Sequence, residues 1–140
     1  IVENIPDRAN PEIEEIVLRM SISYPVLMEQ VEEVFDTLSL PILHITVDKP
    51  IPDLVIYEKQ LDEYAETFHK TLAEIRKLYP RAKSIHLFYS GPPTLAFRCG
   101  QQINKTIDPK RYLLFISLIT FNINFWCNCF YNFRYSLFRK

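Results

Sequence analysis

Three short runs rich in branched apolar residues alternate with stretches whose apolar residues recur at helical spacing: EIVLRMSIS from Glu15, ILHITV at 42–47 and SIHLFYSG at 84–91. Each run is too short for a buried helix and is bounded by proline, glycine or charge, so each reads as a strand. Between the second and third, Leu61, Tyr64, Ala65, Phe68, Leu72, Ile75 and Leu78 form the stripe of a long amphipathic helix. Arg76 and Lys77 suit its negative end, and Tyr79-Pro80 closes it. Leu27, Val31, Val34, Phe35 and Leu38 predict a shorter helix before Pro41. Proline in the first helical turn loses no hydrogen bond, so Gly91-Pro92-Pro93-Thr94 predicts the start of a third helix around LAFRCGQQI.

Strand and helix in strict alternation specify parallel crossover units. The predicted fold class is therefore α/β: a Rossmann-like, mostly parallel sheet with helices on both faces. The ILHITV strand is expected to be buried on both faces. DKPIPDLVIY at 48–57 carries two prolines and stays open between a loop and a short edge strand. Residues 1–11, with Pro6 and Pro11, read as an entry strap.

Ligands on such sheets collect at the carboxyl ends of the strands. Here those ends are Ser23-Tyr24-Pro25, Asp48-Lys49 and Tyr89-Ser90-Gly91-Pro92. The first and third combine hydroxyls, aromatic faces and, at Gly91, room for close backbone approach, each followed by a helix N-terminus suited to an anion. The expected ligand-binding residues are Ser23, Tyr24, Tyr89, Ser90, Gly91, Pro92 and Arg98. For Gly91-Pro92-Pro93 a plain capping loop stands as the alternative to ligand contact. Arg98 reads either as a solvated surface charge or as a phosphate clamp.

Other chemistry is excluded on composition and spacing. Sixteen basic against seventeen acidic residues argue against holding long nucleic acid by bulk charge. The chain contains no GxxxxGK[ST], GxSxG, HExxH or GxGxxG, and its two glycines, Gly91 and Gly100, cannot build a glycine-rich phosphate loop. Adjacent carboxylates such as Glu32-Glu33 and Asp62-Glu63 point apart on their helices. The chain is not expected to be an enzyme, and no cofactor is expected. His44 and His69 lack ligand-spaced partners, so no metal is expected, and His86 reads as a satisfied core histidine. Three cysteines without framework spacing fit a reducing cytosol.

The segment SIHLFYSGPPTLAFRCGQQI places a histidine in a strand, a proline-bearing polar turn, a helix and Gly100 in a fixed order. In that order it resembles the closing motif of SAVED domains, the sensor modules of bacterial CBASS antiviral systems, and EIVLRMSISYPVLMEQV is similar to the strand that opens their second half. The resemblance covers 12–110. It implies two fused CARF-like Rossmann units that bind a cyclic oligonucleotide, assemble on binding and activate a fused effector. This chain would hold the C-terminal CARF-like unit, with the first unit and the effector upstream of Ile1. The rival expectation is a ligand-free Rossmann-like oligomerisation module, membrane-associated through the C-terminal tail if that tail is genuine.

Residues 111–140 are chemically different. They hold ten of the nineteen aromatics and four basic residues but none of the seventeen acidic ones. The segment reads as an anomalous, aromatic- and Asn-rich, out-of-frame tail. Tyr112 to Tyr131 is free of charge and long enough to cross a bilayer, although Asn122, Asn124 and Asn128 disfavour that. A cytoplasmic protein is expected, with membrane association if the tail is genuine.

Overall fold

The computed structural model describes residues 2–3, 10–33, 40–52, 54–104, 107 and 111–116. Among these residues five strands form one sheet: β1 (Val2–Glu3), β2 (Glu15–Ser21), β3 (Ile42–Thr46), β4 (Ser84–Ser90) and β5 (Arg111–Ile116), in the order β1-β3-β2-β4-β5. β2 pairs in parallel with β3 on one side and β4 on the other, β4 pairs in parallel with β5, and β1 runs antiparallel to β3. The helices are α1 (Met28–Glu32), α2 (Glu58–Leu78) and α3 (Pro93–Gln101). This is the predicted α/β, Rossmann-like arrangement.

Alternation along the strands separates two cores. Ile16, Leu18, Met20 and Ile22, with Leu43 and Ile45 of β3 and Ile85, Leu87 and Tyr89 of β4, pack against Ala65, Phe68, Leu72 and Ile75 of α2 and Leu95 and Cys99 of α3. On the opposite face Val17 and Phe88 meet Val26 and Val31 of α1, with Leu40 and Ile42 packed against them. Among the described residues the helices therefore lie on both faces, unequally: α2 and α3 cover one side and the five residues of α1 the other.

That inequality explains where the expectations shift. β3 is buried only at Leu43 and Ile45, and its other residues are half-exposed, so it is not the doubly buried strand its composition predicts. α1 spans five residues, while Val34, Phe35 and Leu38 of the predicted helix lie outside the described residues. Leu54 and Val55 pack against the larger core as irregular chain, and α2 begins one turn earlier than its apolar stripe. Its start is set by Gln60, whose Oε1 accepts from the amides of Ile56 and Tyr57 and whose Nε2 donates to the Leu54 carbonyl.

The ends of the chain also differ from expectation. The 1–11 strap contributes β1, and the sheet continues past Lys110 into β5, where Tyr112 aligns with Ile85 and Ile116 with Tyr89. Tyr112 to Ile116 therefore belong to a strand, not to a spanning helix, and no helix among the described residues is long and apolar enough to cross a membrane. Residues 117–140, which carry the rest of the predicted tail, lie outside the described residues.

Candidate functional site

From β2 the chain crosses by α1 to β3 on one side, then by α2 back over β2 to β4 on the other. The direction of winding reverses between β2 and β4, so ligands of such a sheet would collect where α1 and α3 leave on opposite faces of one rim. The two corners that line it are Ser23-Tyr24 and Ser90-Gly91-Pro92, brought together by the β2·β4 register that ends with Ser21 opposite Ser90.

Backbone and side chain of Ser90 lock these corners together. The amides of Ile22 and Ser23 both donate to the Ser90 carbonyl, at 2.8 and 3.0 Å, and the Tyr24 amide donates to Ser90 Oγ at 3.1 Å. Ser90 itself is buried, which makes it the bond between the corners. The amides of Ser23 and Tyr24 are thus spent inside the protein and do not point outward at an anion. Tyr24 carries the outward-facing chemistry, with 37% of its surface exposed; Ser23, Gly91 and Pro92 are half-buried around it.

Tyr89 corrects the expectation. Its ring lies on the α2/α3 side at 2% exposure, and its hydroxyl donates to the Pro92 carbonyl at 2.6 Å. It braces the turn from beneath and cannot stack on a ligand. Burial, with the Cys99 thiol nearby, raises its pKa far above the ordinary tyrosine value. A Cβ on Gly91 would stand 2.6 Å from that hydroxyl and 3.3 Å from Ile22 Cβ, so glycine is required here by close approach.

Arg98 bridges the two helices of this face. Its guanidinium meets Glu58 at 2.8 Å and Asp62 at 3.3 Å, tying α3 to the first turns of α2. It is partly exposed and paired with two carboxylates of α2. The Pro92 carbonyl collects the Leu95 and Ala96 amides in addition to Tyr89, and Pro93 has no N–H. The Thr94 amide is then the first-turn donor of α3 that these bonds leave over. The structure thus joins Ser23, Tyr24, Ser90, Gly91 and Pro92 at one rim, buries Tyr89 beneath it and pairs Arg98 with Glu58 and Asp62.

Beneath the Tyr24 corner, on the α1 face, lies a polar group that the sequence reading passed over: Arg19, Ser21 and His44. Arg19 and Ser21 are 8% and 1% exposed, and His44 sits opposite Arg19 in the β2·β3 register. A guanidinium between Leu18 and Met20, inside an otherwise apolar strand, was the visible signal. His86 is buried as expected, with Nε2 3.2 Å from Glu15 Oε2 toward the opposite end of the strands.

A family model, described as SAVED (SMODS-associated and fused to various effectors) sensor domain, matches residues 2–113. The match spans most of the chain, from β1 into β5. No curated protein matches the sequence.

Proposed function

The chain belongs to the SAVED family of sensor domains, and from that premise we propose that its β2/β4 rim recognises a cyclic oligonucleotide. The module is non-catalytic. It acts as the C-terminal CARF-like half of the sensor in a bacterial CBASS antiphage system, where ligand-driven assembly activates a fused effector. The cleft is completed by the other half, and the segment described here carries no long nucleic acid.

The observation that carries this reading is Tyr24, an exposed aromatic held by Ser90 at the point where the sheet reverses its winding. Its ring offers a stacking face for a base, and the Thr94 amide at the head of α3 suits a neighbouring phosphate.

Calorimetric titration of the complete parent protein with cyclic di-, tri- and tetranucleotides tests this. At least one member is expected to bind, and Tyr24→Ala is expected to weaken it by about tenfold or more, the size of a lost base-aromatic stack. No binding across the panel would overturn the proposal and favour a ligand-free assembly module, for which exposed Leu27, Ile51, Ile56 and Tyr57 supply apolar surface.

A further inference from the structure

Val26, two residues past Tyr24, has both of its backbone polar groups taken by side chains of β2. Its amide donates to Ser21 Oγ at 2.9 Å, and its carbonyl accepts from Arg19 Nη1 at 2.9 Å. One imidazole joins the two holders: Arg19 Nη2 lies 3.3 Å from His44 Nδ1, and Ser21 Oγ lies 2.9 Å from His44 Nε2. A guanidinium can only donate, so Nδ1 accepts and Nε2–H donates to Ser21, in a neutral ring. The result is a closed circuit running Arg19, His44, Ser21, Val26 and back to Arg19.

Burying a guanidinium in a strand is expensive compared with an apolar residue of similar volume, so stability alone does not favour arginine at this position. What arginine provides is reach and direction. Together with Ser21 it fixes the downstream end of the Ser23–Val26 corner, while Ser90 fixes the upstream end. Tyr24 is left exposed between two anchored points. We infer that Arg19, His44 and Ser21 are positioning residues that hold this corner in one conformation and so present Tyr24 ready-formed, lowering the ordering cost of binding. The inference rests on the ligand reading for its purpose, but not for its geometry.

Hydrogen exchange of the full chain separates the two. Peptides covering 22–28 and 84–90 are compared in wild type, Arg19→Met, His44→Leu and His44→Gln; glutamine retains an acceptor for Arg19 and a donor for Ser21. In Arg19→Met and His44→Leu, exchange in 22–28 is expected to rise about tenfold relative to 84–90, and His44→Gln is expected to stay near wild type. Equal rises in both peptides, or no rise in 22–28, would overturn the inference. If Arg19→Met fails to fold, the leucine and glutamine variants decide it alone. For whichever cyclic nucleotide of the panel binds wild type, affinity should fall in His44→Leu and be retained in His44→Gln. A panel without any binder removes the ligand reading, whereas unchanged exchange removes the positioning unit itself.

Discussion

Gly91, Tyr89 and Cys99 show how closely the rim is underpinned. Gly91→Ala must displace the Tyr89 hydroxyl, which is already engaged with Pro92, and should cost about 1–3 kcal/mol in urea unfolding. Tyr89→Phe leaves the Pro92 carbonyl one donor short and should cost about 1–2 kcal/mol. Burial pushes the Cys99 thiol from 9.0 up to about 12, and it raises Tyr89 as well. Both groups hold their protons more tightly folded than unfolded, so their contribution to stability is intact below about pH 9. It is lost as pH climbs from the unfolded values toward the folded ones. Denaturant midpoints should accordingly fall on the alkaline side, less steeply in Tyr89→Phe. Below that range Cys99 should resist a thiol reagent in native protein and react in urea, as a labelling time course would record.

At the scale of elements, what the sequence discloses depends on whether the information is local. The stripe from Leu61 to Leu78 identifies α2 because every contact follows from spacing within one helix. Strand parity says that Tyr89 and Ser90 face opposite ways, but not which of them meets the two-helix side; that depends on how α2 and α3 divide between the faces. The same limit applies to Arg98, whose partners Glu58 and Asp62 lie far earlier in the chain, on α2. The corners at Tyr24 and Gly91 were legible as strand ends, whereas the Arg19–His44–Ser21 circuit joins two strands through register and left only an arginine in an apolar run as its trace. Because Arg98 serves the α2–α3 junction and is partly exposed, Arg98→Ala should lower stability by less than about 1 kcal/mol and leave cyclic nucleotide affinity within about twofold. A large loss of affinity in calorimetry would return it to the site.

For the molecule as a whole, the larger of the two described cores lies against α2 and α3, so mutational sensitivity should be greatest there. Phe68→Ala, on the two-helix side and fully buried, should cost about 3–5 kcal/mol in chemical unfolding. The strand order carries a consequence for how such a chain is made. β2 sits in the middle of the sheet, yet its neighbour β4 begins only at Ser84. As the polypeptide leaves the ribosome, the central strand therefore waits through the synthesis of the entire α2 helix with one flank bare. Nascent or truncated chains ending before Ser84 should be captured by chaperones and prone to edge-on self-association, and the appearance of the HLFY segment should end that vulnerability.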